Sequence, residues 1–325
     1  LTIYESDASI ALDTGEGEGM RFAARLNSFL STGDELGQVI DKLAKVEDLT
    51  DVELNYPEHF TKYTPQEISR RIIKNGLHFS GVAVRYRNDF INGEFNNSSN
   101  ADNAVALAQE AMDVVKLMGG DTITIWLEFD GNDYPFQIDY PDNWKRLIEG
   151  FIRICDHDTE IKVSIEFKPF EPRAYSLIPN TGITLHALNS IGKSNIGMTL
   201  DYCHSLMAME NPSLSLALVS MENRLFGVHL NDGNGYMDDG MIFGSHTVMK
   251  TLEFMYYLKK ANYQGLVYFD TFPKRENPYW EARMNIKMFK RYWEKIDEIG
   301  MDTIARNILD NRNHFGQSFV LNHLI

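Results

Sequence analysis

Short runs in which every second position is apolar alternate along this chain with longer runs whose apolar positions recur every three to four residues. The first pattern is that of a strand, with successive side chains on opposite faces; the second is that of an amphipathic helix. Strand-type runs fall over 21–28, 51–56, 78–85, 122–127, 162–168, 195–200, 225–231 and 266–270. Helix-type runs follow them over 34–44, 64–75, 103–118, 142–154, 182–191, 212–221, 247–261 and 279–296. Local signals agree with these limits. Thr64 and Pro65 suit the N-cap and first turn of a helix, and Gly119-Gly120 and Gly192 suit helix ends. Eight βα units predict an α/β protein folded as a single (β/α)8 TIM barrel over 1–298. Residues 299–325 are then a C-terminal extension that packs on the barrel or on a neighbouring subunit. An open doubly wound sheet is the rival architecture. It carries a Gly-rich phosphate turn after its first strand, and none is present here.

Composition fits that reading. A chain of 325 residues, 43% hydrophobic and 24% charged, suits one barrel with a full-sized core. The formal net charge of −15 repels phosphate backbones and anionic bilayers, which argues against nucleic-acid and membrane partners. Cys155 and Cys203 form no C-x-x-C pair and are too few for a disulfide framework, so a reducing cytoplasm is expected. The opening residues lack the basic and apolar segments of a signal peptide, and no run reaches the ~18 apolar residues of a membrane span.

Barrel enzymes build their sites at the C-terminal ends of the strands. Here four consecutive strands end on metal-ligating chemistry: Glu166 on the fifth, Asp201 on the sixth, His229 on the seventh and Asp270 on the eighth. A lone strand-end Asp more often caps a turn or a helix. Four such residues on adjacent strands, spaced ~4.8 Å apart, can instead converge. Three carboxylates and one imidazole suit a divalent cation (Mn²⁺, Mg²⁺, Co²⁺ or Zn²⁺) that relieves their mutual repulsion. Lys168 shares a strand face with Glu166 and can stabilise an oxyanion, or simply pair with Glu171. His204 faces the same cavity and can move a proton or serve a second metal, with Asp238 and Asp239 from the loop after strand seven. Trp126, Phe129 and Tyr134, around the end of strand four, are candidates for the wall of a sugar pocket.

The run Glu166-Phe-Lys168-Pro-Phe-Glu171-Pro resembles the E-x-K-x-x-E-P motif of bacterial L-rhamnose isomerase-like proteins, and Asp201-x-x-His204 resembles their D-x-x-H motif. Gly93-Glu-Phe-Asn-Asn97 and Asp130-Gly-Asn-Asp-Tyr134-Pro135 resemble their loops after strands three and four. Asp270-Thr-Phe-Pro273, followed by Arg275-Glu276-Asn277, is similar to the segment after strand eight in xylose isomerase-like barrels. That wider group includes xylose isomerases, D-tagatose 3-epimerase-like enzymes and apurinic endonucleases. The resemblance implies a metal held by Glu166, Asp201, His229 and Asp270, with Lys168 beside it. It also implies a second, catalytic metal on His204 and an acidic trio, but that trio reads Asp238-Asp239-Gly240 and lacks its third acid.

The activity so implied is aldose–ketose isomerisation, with Glu166, Lys168, His204 and Asp270 as catalytic residues. A ketose 3-epimerase is the nearest alternative; such enzymes offer Glu at the last ligand position, where this chain has the shorter Asp270. A non-catalytic sugar-binding or metal-stabilised scaffold is the alternative of another class. Endonuclease chemistry is disfavoured by the missing Asp-x-His pair after strand seven and by the negative charge. No Arg/Lys clamp follows strands seven and eight, so a free sugar is expected rather than a sugar phosphate. Related barrels form dimers or tetramers, and a homo-oligomer is expected.

Overall fold

The computed structural model describes residues 20–31, 33–310, 318 and 320–323. Its frame is an eight-stranded, all-parallel sheet curled into a barrel. The strands are β1 (Arg21–Ala24), β2 (Asp51–Tyr56), β3 (His78–Val84), β4 (Thr122–Ile125), β6 (Lys162–Glu166), β8 (Ile196–Asp201), β9 (Leu225–Leu230) and β10 (Leu266–Phe269). A two-stranded antiparallel ribbon, β5 (Gly131–Asn132) with β7 (Tyr175–Ser176), stands over the mouth. Neighbours follow chain order, and β10 returns to pair with β1. The seam between β1 and β2 has no ladder among the described residues. It is closed by Thr50, whose N–H donates to the Phe22 carbonyl (3.1 Å) and whose Oγ1 accepts from the Phe22 N–H (2.8 Å). Arg21 pairs with Asp51 below.

Helices cover the outside: α2 (Leu36–Leu43), α3 (Pro65–Lys74), α4 (Ala101–Met118), α5 (Tyr140–His157), α6 (Thr181–Ile191), α8 (Pro212–Met221), α9 (Val248–Lys260) and α10 (Pro278–Ile299). Three short additions were not expected: α1 (Leu26–Leu30), α7 (Tyr202–Met207) and α11 (Met301–Asp310). Capping explains where these helices begin and end. Thr64 and Glu67 close a capping box on α3, Asp139 accepts from the Asp142 N–H at the start of α5, and Gly119 ends α4 at φ +80°. Asn277 likewise caps α10. Ile304 of α11 joins the hydrophobic core. Residues 311–317, 319 and 324–325 of that extension, and 1–19 of the barrel span, lie outside the described residues. Among the described residues no helix is long and apolar enough to cross a membrane.

The period of two sorts the strand residues. Val82, Val84, Ile123, Ile125, Val163, Ile165, Met198, Leu200, Val228, Leu230, Val267 and Phe269 are all buried in the layer between barrel and helices. The alternate positions point into the barrel, and among them are the polar Glu53, Thr124, Ser164, Thr199, His229 and Tyr268. Ser164 and Thr199 join hydroxyls across neighbouring strands at 2.6 Å. A cavity of about 150 Å³ lined by Glu53, Ser80, Thr124, Thr199, His229 and Tyr268 lies in the barrel interior.

Several expected strands were drawn too long, the first, fourth and fifth by two residues or more. The first stops at Ala24, because α1 begins at Leu26, and the fifth stops at Glu166, where the chain turns through Phe167–Pro172. The first and fifth shortfalls put Arg25 and Lys168 past the strand ends at the mouth, although the Arg25 N–H still donates to the Phe269 carbonyl at 3.1 Å.

Candidate metal centre

Glu166 closes β6, Asp201 closes β8, His229 lies one residue before the end of β9, and Asp270 follows β10. All four occupy inward positions. The register pairs Asp201 with His229 across neighbouring strands. One donor atom from each of the four lies within 4.8 Å of the others. His229 Nδ1 lies 3.1 Å from Glu166 Oε1.

Asp201 is fixed from two sides. As N-cap of α7 its Oδ1 accepts from the His204 N–H at 2.8 Å. Asn231 donates to its Oδ2 at 3.1 Å and to the Asp270 carbonyl at 3.2 Å, while its own Oδ1 accepts from the Cys203 N–H at 2.9 Å. Asn231 thus ties three strand ends together. It was not singled out in the sequence, although it follows His229 by two residues and so shares its face. The neighbouring Asp232 points the other way. It accepts from the His246 and Thr247 N–H groups (2.8 and 2.9 Å) and anchors its own loop.

The electrostatics ask for added positive charge. Burial pushes the Asp201 carboxyl up to about 7, against His204 and reinforced by Asp238, Glu166 and Asp270. Burial likewise raises Asp270. Burial would also raise Glu166, but His229 and His204 hold it below the usual carboxylate range. Burial acts to lower both imidazoles, yet the carboxylates around them lift His229 to about 10 and His204 to about 9. Three buried carboxylates thus draw protons onto whatever can carry them. Asp270 Oδ1 is buried without a hydrogen bond; the Arg25 Nε lies 3.0 Å away but is not aligned to donate. A hard or borderline divalent cation fits this donor set of three carboxylates and one imidazole.

Of the residues that the resemblance assigns to a second metal, His204 and Asp238 meet each other beside Lys168. Asp238 Oδ2 is already shared by Lys168 Nζ (3.0 Å) and His204 Nε2 (3.3 Å), and burial's upward push on it is outweighed by those two cations. Asp239 is turned into its own loop, where Oδ2 accepts from the Asn234 N–H at 2.7 Å. Gly240 sits at φ +58°, and a Cβ there would meet the Phe272 ring at 2.4 Å, so the missing acid has no room.

Lys168 is the hub of a separate polar cluster. Its ammonium contacts Asp238, Glu171 (3.1 Å) and the face of Trp126, 5.0 Å from the ring centroid. Burial would lower its pKa, but the two carboxylates raise it, so it is held as a cation. His204 bridges this cluster to the four ligands, with Nδ1 3.5 Å from Glu166 Oε1 and Nε2 on Asp238.

Of the three expected aromatic wall residues, Trp126 contacts Lys168 beside the site. Phe129 is pinned through its backbone by Glu94 and Arg173. Tyr134 is 73% exposed in the loop after β5. The two loop motifs turn out to hold each other. Glu94 accepts from the Phe129 N–H at 3.1 Å, and Asp130 accepts from Phe95 and Asn96 (2.9 and 2.7 Å).

Sequence reasoning also missed Glu53, Arg25 and Arg85. Glu53 is buried and raised to about 7 by desolvation, with His229 opposing. A carboxylate at an inward position of the otherwise apolar Val52–Leu54 pair was the available signal.

The sequence model of a family described as xylose isomerase-like TIM barrel matches residues 42–292. Among solved structures, an L-ribulose 3-epimerase superposes with a TM-score of 0.68 at 12% identity, covering 91% of this chain and 99% of its own. A D-allulose 3-epimerase from Methylomonas sp., solved with D-allulose, gives 0.68 at 15% identity, covering 84% and 97%. A xylose isomerase domain protein from Alicyclobacillus acidocaldarius gives 0.66 at 14% identity, covering 85% and 98%. At these identities the likeness is one of fold.

Proposed function

The chain belongs to the xylose isomerase-like TIM-barrel family, and from that premise we propose that it is a divalent-metal-dependent enzyme that interconverts an aldose and a ketose. The observation that carries this reading is the convergence of Glu166, Asp201, His229 and Asp270 within 4.8 Å at the barrel mouth, beside a buried cationic lysine. A cation held by these four would supply Lewis acidity to two adjacent oxygens of the sugar.

The chain's own groups do the rest. Glu166 and Asp270 are the carboxylates available to take a proton from the carbon beside the carbonyl and to return it. Lys168, kept charged by Asp238 and Glu171, donates to the oxygen on which negative charge grows. His204, between Glu166 and Asp238, passes a proton between the two clusters. Trp126 shields one side from water.

A second reading, ketose 3-epimerisation, is supported by the fold shared with the L-ribulose and D-allulose 3-epimerases. By the enediol route both reactions begin by removing a proton beside a carbonyl, so one residue set serves either. The test is a screen of sugars with Mn²⁺, read by proton NMR in D₂O. Aldose product supports isomerisation, and a ketose inverted at C3 supports epimerisation. Deuterium entering the product indicates an enediol, and full retention of the substrate hydrogen indicates a hydride shift. Metal bound at this site with no sugar converted would overturn both readings.

A further inference from the structure

The mouth of the barrel divides by charge. Strands β6, β8, β9 and β10 carry the four ligands, whereas β1 leads into Arg25, β3 into Arg85 and β4 into Trp126, at inward positions of the same alternation. Arg85 is the unusual member. Its side chain is only 18% exposed, and its Nε–H is buried with no acceptor among the described residues. The nearest carboxylate oxygen, Glu128 Oε2, is 4.0 Å from Nη2, beyond hydrogen-bond reach, and already accepts from Arg87 at 2.9 Å. The guanidinium lies over Trp126, 5.2 Å from the centroid of the ring that Lys168 also contacts.

Charge on this side is unbalanced as well. Arg87 is matched by Glu58 and Glu128. Arg25 packs on Phe272 and, among the described residues, has only the Asp270 carboxylate in ion-pair reach, a group that the candidate metal site claims. Two guanidiniums are thus left with open donors at the edge of the candidate site. A planar fork of N–H groups withdrawn from water is poorly served by a lone hydroxyl and well served by the paired oxygens of an anion.

We infer that the substrate carries a carboxylate or phosphate monoester at the end remote from its carbonyl, received by Arg85 together with Arg25. The inference rests on the sugar-converting reading and replaces the expectation of an uncharged sugar. That expectation looked for a clamp after strands seven and eight, whereas the arginines follow strands one and three.

The test uses the full chain loaded with Mn²⁺ and three matched ketoses: a neutral parent, its terminal carboxylate and its terminal phosphate. At least one anionic form is expected to exceed the parent about 100-fold in kcat/KM. In Arg85→Met that ratio should fall towards one, and Arg85→Lys should recover only part of it. Which anion leads decides between a sugar acid and a sugar phosphate. The same compounds are also titrated calorimetrically into wild type and Arg85→Met. Arg85-dependent binding of an anion without turnover upholds this subsite and rejects the sugar-converting reading. A parent bound or converted as well as its anions overturns the inference, whatever the reaction. Should Arg85→Met fail to fold, the wild-type ratios alone decide.

Discussion

The two halves of the barrel mouth are built on one alternation and reach opposite solutions. On β6, β8, β9 and β10 the inward strand ends are acids and an imidazole, buried so closely that they push protons onto one another. On β1 and β3 they are arginines that face carboxylates from loops, at 4.0 Å for Arg85 and without alignment for Arg25. The first half is unsatisfied in charge and awaits a cation. The second is unsatisfied in donors. A strand end is a fixed address in either case, and what differs is the kind of guest that completes it.

The comparison can be broken most severely at Asp201, the most deeply buried ligand. Asp201→Asn should weaken Mn²⁺ binding and lower kcat/KM by about 1000-fold each while the barrel stays folded, read by calorimetry and circular dichroism. Retained metal affinity would remove Asp201 from the ligand set. Lys168→Met comes next, because Lys168 touches the acid cluster and the tryptophan shared with Arg85. It should lower kcat by about 100-fold with metal affinity changed less than about tenfold. Equal losses of both would make Lys168 part of the metal-holding half.

Asn231→Ala tests whether the acidic half is held in shape by its neighbours. Loss of its bonds to Asp201 and the Asp270 carbonyl should weaken metal binding by about 10–100-fold. The smallest effect is on pH. His229 is raised to about 10 by its carboxylates, so at pH 7 it carries a proton that a cation must displace, and Asp201, near 7, gives up part of another. Metal affinity should therefore rise about tenfold per pH unit between pH 6 and 8, with at least one proton released per ion in calorimetry across buffers. A flat profile would mean that the imidazole is already neutral.

The acidic half was legible in the sequence because its strands have unbroken alternation up to the ligand. Val163 and Ile165 set the phase for Glu166, Met198 and Leu200 set it for Asp201, and no contact from elsewhere is needed to find the end. The basic half was not. The apolar run through 21–28 hides the break at Arg25, since Leu26 and Phe29 are buried as helix residues rather than strand residues. Loop residues fared worst, because their direction depends on partners distant in the chain or on the local turn. Asp239 turns to an amide of its own loop, Tyr134 follows the ribbon into solvent, and the Glu94 and Asp130 motifs bind each other across more than 30 residues.

The β1–β2 seam has a bearing on motion. Among the described residues β1, four residues long, ladders to β10 and meets β2 through Thr50 and the Arg21–Asp51 pair. In terms of local unfolding, it is the strand that can part from the barrel with the fewest bonds broken, so its amides should exchange with solvent ahead of those in β6 or β8. Arg25 rides on the end of that strand. The stiffness of one short edge thus sets how steadily a guanidinium is presented over the mouth, and a tighter seam would trade the speed of ligand exchange for residence time.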